Sequence, residues 1–171
     1  MTMQETQAAS QVPLMGRWHY SRAEMIADGI VHAVGIVLAI AAGSAMLVLA
    51  ASRAAPGEYI AAVFYVVALL TVLSVSLAYN LWPVDSPAKW VLRRFDHSAI
   101  YLLIAATYTP FLAQIRNSPL ADWMIAVVWT AAAAGIAIKV LLPGRFDRLA
   151  VVFYLAIGWS GLVLAKPLVA T

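Results

Sequence analysis

The chain has 171 residues, of which 64% are hydrophobic and 11% are charged, and its formal net charge is +3. Soluble domains carry about 25% charged residues, so the composition excludes an ordinary soluble domain and indicates a membrane protein. The absence of cysteine excludes disulfides and thiolate metal sites. The basic residues form no stripe or cluster of the kind that binds nucleic acid, so no nucleic-acid partner is expected.

The first 20 residues predict a polar N-terminal arm, and residues 21–171 predict a transmembrane domain. The arm has no basic segment, no short apolar core and no small-residue cleavage site, so it is not expected to be a signal peptide.

Five apolar runs follow the arm, and each is close to the ~20 residues that cross a bilayer as a helix. They are Ile26–Ala51, Tyr59–Leu81, Ser98–Ile115, Trp123–Leu142 and Leu149–Ala165. None shows the alternation of apolar and polar residues that marks a barrel strand. The sequence therefore predicts an all-α, multi-pass transmembrane bundle with five spans in the lipid bilayer.

Basic residues are distributed unequally between the two sides of these spans. One side has eight: Arg17, Arg22, Lys89, Arg93, Arg94, Lys139, Arg145 and Arg148. The other side has three: Arg53, Arg116 and Lys166. The positive-inside rule then predicts a cytoplasmic N-terminus and an external C-terminus. The protein is expected in the bacterial cytoplasmic (inner) membrane.

Three polar residues near the start of the first span are spaced i, i+4 and i+8, so Glu24, Asp28 and His32 form one stripe. One reading is that Glu24 and Asp28 only cap the helix and favour its dipole. His32 is harder to explain in that way, because an imidazole inside the lipid boundary needs a hydrogen-bond partner.

The next two spans carry further polar residues at the same side of the membrane. Ser76 and Asn80 are one turn apart on the second span, and Asp96 and His97 directly precede the third. Alone, Ser76 could bond back to its own helix, and Asn80 could mark a helix terminus. The cytoplasmic ends of three helices together predict a polar cluster, formed by Glu24, Asp28, His32, Asn80 and His97 around Ser76 and Asp96.

Four segments of the chain resemble the hemolysin III family, which is grouped with the progestin and adipoQ receptors. The segments are Arg22–Glu24, Asp28–His32, Ser76–Asn80 and Asp96–Pro110. The resemblance runs from about Tyr20 to the last residue. It implies a seven-helix fold, of which the five predicted spans here would leave out the last two.

The resemblance also implies a zinc site that faces the cytosol and supports amide or ceramide-type hydrolysis. Its ligands would be a second-helix histidine four residues after a serine and a seventh-helix HxxxH pair, while a third-helix aspartate holds the metal-bound water. Ser76 and Asp96 match the serine and the aspartate, and by resemblance they are the catalytic residues. The ligand position after Ser76 is Asn80, and the three histidines of the chain form no HxxxH pair. Zinc is therefore implied by resemblance alone, and no metal ligand is assigned.

Two function classes stay open. The first is a metal-dependent membrane hydrolase, or its remnant, that acts on a lipid or amide substrate. The second is a non-enzymatic membrane sensor or a pore-forming, cytolytic protein. The sequence does not define the substrate or the oligomeric state.

Overall fold

The computed structural model describes residues 21–83, 86–115 and 118–141, together with Trp159. Within this part of the chain there are four α-helices: α1 (Arg22–Arg53), α2 (Pro56–Leu81), α3 (Pro87–Gln114) and α4 (Pro119–Leu141). Each helix packs against the next one along the chain. The short connections make consecutive helices antiparallel, and the all-α prediction is confirmed for the described residues.

Three of these helices, α1, α2 and α4, are long and apolar enough to cross a membrane. They contain the predicted first, second and fourth spans, so a helical membrane protein is supported. α3 is not among the three. Its first turns carry the charged residues Lys89, Arg93 and Asp96. The predicted fifth span, Leu149–Ala165, lies outside the described residues apart from Trp159, and so does the predicted N-terminal arm up to residue 20.

The outer surface of α1 is apolar. Val31, Val37 and Val48 are each more than 60% exposed. Such a continuous apolar surface would be unfavourable in water, and it suits contact with lipid chains.

The helix starts follow from local sequence. Ser21 caps α1: its hydroxyl accepts from the backbone N–H of Glu24, and the Glu24 carboxylate accepts from the Ser21 N–H. Pro56, Pro87 and Pro119 occupy the first helical position of the other three helices. Proline is favoured there because its missing N–H would have no partner inside the helix.

α3 and α4 meet along a seam of buried side chains spaced three or four residues apart, as expected of helices that pack almost antiparallel. α3 contributes Tyr101, Ala105, Tyr108 and Leu112, and α4 contributes Ala121, Met124, Val128 and Ala132. A hydrogen bond from the Trp129 indole nitrogen to the Thr109 hydroxyl, 3.2 Å long, also joins the two helices.

The antiparallel order brings four helix termini to one end of the bundle. We call it the polar end: it comprises the start of α1, the end of α2, the start of α3 and the end of α4. All of the polar residues singled out from the sequence lie on helices at this end.

Candidate functional site at the polar end

A hydrogen bond between two helices forms the centre of the polar end. The hydroxyl of Ser76 on α2 donates to carboxylate oxygen Oδ1 of Asp96 on α3. Both side chains are half-buried. Because a hydrogen bond to an ionised carboxylate is stronger than a neutral one, this pair fixes the carboxylate of Asp96 in one orientation. The structure thus brings together the two residues that the resemblance implied to be catalytic.

His32 lies on α1, half-buried, and its orientation is set by its own helix. Its ring nitrogen Nδ1 is 2.7 Å from the backbone carbonyl oxygen of Asp28. A carbonyl oxygen can only accept a hydrogen bond, so Nδ1 carries a proton and donates it. In the neutral ring the other nitrogen, Nε2, then has the free lone pair.

The structure also locates the remaining predicted residues at the polar end. Asn80 is half-buried one turn beyond Ser76, and His97 is half-buried beside Asp96. Asp28 is half-buried on the same helix as His32, whereas Glu24 is exposed and its carboxylate completes the α1 cap. For Glu24 the structure therefore shows the capping role that the sequence left open. Among the described residues, no direct hydrogen bond joins His32 to the Ser76–Asp96 pair.

From the sequence, Lys89 served only to indicate the orientation of the protein in the membrane. The structure shows that it also holds two helices together. It is 8% exposed, and its ammonium nitrogen donates to the carbonyl oxygens of Trp82, at 3.0 Å, and Asn80, at 3.5 Å. The same nitrogen lies 5.0 Å from the centre of the Tyr79 ring. Burial lowers the pKa of Lys89, because the charged form loses hydration. A residue from α3 thereby satisfies the last carbonyls of α2 and holds the α2–α3 connection in place.

Replacing Lys89 with Met should lower the thermal stability of the protein, because the end of α2 loses a charged donor while the buried stem is kept. We expect a loss of about 1 kcal/mol, the scale of a single hydrogen bond. The measurement is the fraction of monodisperse protein left after heating in detergent. Arg94→Met removes a nearby exposed charge and should leave stability unchanged. Equal losses in the two variants would show that charge, rather than the carbonyl contacts, is what matters.

Lys139 is a second lysine whose position was missed. It is 5% exposed and continues the buried seam of α4, seven residues after Ala132. By the register of the seam it lies near the level of Ser98, at the polar end. The three- and four-residue spacing of buried positions in α4 is the sequence signal that could have placed it facing α3.

Within the described ranges, the residues of the polar end do not fit a zinc site. In the described part of the chain no three His, Asp or Glu side chains lie close enough together to hold a metal. Asn80 offers a carboxamide, which suits zinc far less well than imidazole, carboxylate or thiolate.

Apolar helices of membrane-spanning length, with a hydroxyl–carboxylate pair held between two of them, define a helical membrane protein with a polar site at one end of its bundle. Its family is established by comparison with known proteins. The chain belongs to the haemolysin-III related family, whose model matches residues 21–171. The resemblance seen in the sequence is confirmed.

Curated relatives agree with this assignment. The Hemolysin-3 homolog of Bacillus subtilis (strain 168) is 36% identical over 149 residues, which cover 86% of this chain and 69% of the relative. Hemolysin-3 of Bacillus cereus is 34% identical, with coverages of 85% and 66%. The Monocyte to macrophage differentiation factor of Homo sapiens is 32% identical, with coverages of 88% and 63%. The chain thus spans about two thirds of the length of these relatives, and no solved structure gives a significant match.

Proposed function

We propose that the protein is a membrane-embedded hydrolase that cleaves the amide bond of a lipid-like substrate at the cytoplasmic side of the membrane. The observation that supports this is the hydrogen bond from Ser76 to Asp96. It leaves the second carboxylate oxygen of Asp96 able to accept a proton from, or orient, a water molecule. A group positioned to activate water in this way contributes about 10²–10⁴-fold to hydrolysis. The lipid-facing helices would deliver an acyl-chain substrate from within the bilayer.

The test is turnover of a short-chain ceramide-type amide with a fluorescent acyl group, by the purified protein in lipid nanodiscs. We expect release of the fluorescent acid above the rate in empty nanodiscs. Amides of several chain lengths should be offered, together with the matching ester. Absence of turnover for all of them would overturn the proposal.

Zinc is part of the proposed chemistry only by family resemblance, and no catalytic step is assigned to it. Three protein ligands are normal for catalytic zinc, and the polar end does not offer them among the described residues. We expect purified protein to contain well under one zinc per chain by elemental analysis, and Asn80→His to change this little, since it adds a single ligand. Stoichiometric, tightly held zinc in the unmodified protein would show that the metal ligands have been misassigned.

Cytolysis is the second candidate, and the name of the Bacillus cereus relative, Hemolysin-3, is what favours it. A pore-forming protein would release dye from liposomes when added from solution. Its activity would not depend on the Asp96 carboxylate. Dye release that Asp96→Asn leaves unchanged, without amide turnover, would favour this candidate over the hydrolase.

We further propose that the protein lies in the bacterial cytoplasmic membrane with the polar end in the cytoplasm. Eight of the eleven basic residues fall on that side in the predicted topology. Alkaline phosphatase fused after Ala55, between α1 and α2, should be active, and the same enzyme fused after Pro83, beyond α2, should be inactive. Fluorescent-protein fusions at these two points should show the reverse pattern. The opposite result for both pairs would invert the orientation.

A further inference from the structure

The imidazole of His32 has a defined chemical state that the proposed function does not yet use. Its Nδ1 donates to the carbonyl oxygen of Asp28, so the neutral ring presents Nε2 as a hydrogen-bond acceptor. Nε2 is therefore the basic nitrogen of the side chain. The side chain as a whole is half-buried.

The packing of α1 on α2 fixes the level of His32. A Cβ placed on Gly35 would lie 3.4 Å from Leu73, and one placed on Gly43 would lie 2.9 Å from Val66, so the two antiparallel backbones approach closely at these points. The two helices are antiparallel, and both rise 1.5 Å per residue. The residue three positions before Gly35 on α1 is therefore at the level of the residue three positions after Leu73 on α2. His32 thus lies at the level of Ser76.

His32 is also on the correct face of α1. It is three residues from both Gly29 and Gly35, and a Cβ on Gly29 would contact Leu81 of α2 at 3.0 Å. Positions with this spacing share one side of a helix. One layer of the polar end therefore contains an imidazole from α1, a hydroxyl from α2 and a carboxylate from α3.

We infer that His32 is the general base of the site and takes a proton from the water that Asp96 orients. This inference rests on the proposed amide hydrolysis. The water gives one proton to Nε2, and its oxygen forms a bond to the amide carbonyl carbon. The carbon–nitrogen bond then breaks, and the imidazolium returns the proton to the departing amine, so the products are one acid and one amine. Asp96 accepts the second water hydrogen and stabilises the imidazolium.

The charged groups nearest to the His32 layer come from several helices. Asp28 lies on the same helix as His32. Asp96 and Lys89 are both on α3: Asp96 reaches this layer, and Lys89 contacts the carbonyls at the end of α2. Arg22 and Glu24 are on the exposed first turn of α1. α2 itself carries no charged residue between Tyr59 and Leu81.

The activity test uses the wild-type protein and His32→Gln in nanodiscs. For wild type, kcat/KM should fall at acidic pH, because a protonated imidazole can no longer accept a proton from water. His32→Gln should lose about 100-fold in kcat and should also lose this acid limb. Ser52→Ala, which removes a hydroxyl bonded to the carbonyl of Leu49 at the other end of α1, should behave as wild type. An unchanged pH profile in a folded His32→Gln variant would overturn the assignment while leaving the hydrolase proposal intact.

A second measurement does not depend on activity. ¹⁵N NMR of histidine-labelled protein, with the His32 signal assigned by its loss in His32→Gln, should show the tautomer protonated on Nδ1. Asp96→Asn should shift the ¹⁵N resonances of the His32 ring, because a charged group of the same layer is removed. No shift would show that the two groups do not share a site and would overturn the inference. If the wild-type protein hydrolyses no substrate, the proposed function is wrong. The catalytic role of His32 is then wrong too, even if Asp96→Asn changes the NMR signals of His32.

Discussion

Asp96→Asn should reduce amide hydrolysis by at least about 100-fold, with little change in KM. The substitution keeps the shape of the side chain and an oxygen that can still accept the Ser76 hydrogen bond, so α2 and α3 should stay joined. It removes the negative charge that orients water and stabilises a developing cation. Ser76→Ala should cost less, about 10-fold, because the carboxylate remains but is no longer fixed in one orientation.

The matched control for this experiment is Asp122→Asn. Asp122 is exposed in the first turn of α4, at the opposite end of the bundle from Asp96. Its loss removes the same charge from the protein without touching the polar end, so turnover should equal that of wild type. Equal rates for wild type and Asp96→Asn would show that Asp96 takes no part in the mechanism. Equal losses of turnover in Asp96→Asn and Asp122→Asn would indicate a general effect of charge on folding or insertion.

Hydropathy predicted best the three helices that are apolar enough to cross a membrane. The runs Ile26–Ala51, Tyr59–Leu81 and Trp123–Leu142 correspond to α1, α2 and α4 to within four residues at each end. α3 was predicted from Ser98 but begins at Pro87. Its first turns contain charged residues that an apolar pattern does not detect, although Ser86 caps the helix and Pro87 occupies its first position. Local capping signals therefore define this boundary, and hydropathy does not.

The site was predictable only in part, for a related reason. Helical spacing shows which residues share a face, but it does not show which face meets another helix. The resemblance gave Ser76 and Asp96 roles, and the sequence placed them at one end of the membrane, but the hydrogen bond between them was not predicted. Lys89 and Lys139 were treated as orientation signals, yet both are buried. A long lysine stem can lie along apolar surface while its ammonium group reaches carbonyls or other polar partners, so a count of charges does not reveal such a role.

Gly135→Ala should be the most destabilising of the small substitutions in the described helices. The added Cβ would lie 2.5 Å from ring carbon Cε1 of Tyr101, well inside any normal contact. Tyr101 is 3% exposed in the α3–α4 seam, so its ring has little room to move and the helices must separate instead. Overpacking of this kind costs about 1–3 kcal/mol. The expected result is a lower temperature of unfolding in detergent, measured by tryptophan fluorescence.

Gly57→Ala provides the matched control for that measurement. It makes the same chemical change at the start of α2, where a Cβ would meet nothing within 4 Å. Alanine is the better helix former, so this variant should be as stable as wild type or slightly more so. Equal stability of Gly135→Ala and Gly57→Ala would show that α3 and α4 are not held as close as Tyr101 and Gly135 indicate. A loss confined to Gly135→Ala would instead show that this close approach holds the start of α3, which carries Asp96, against α4.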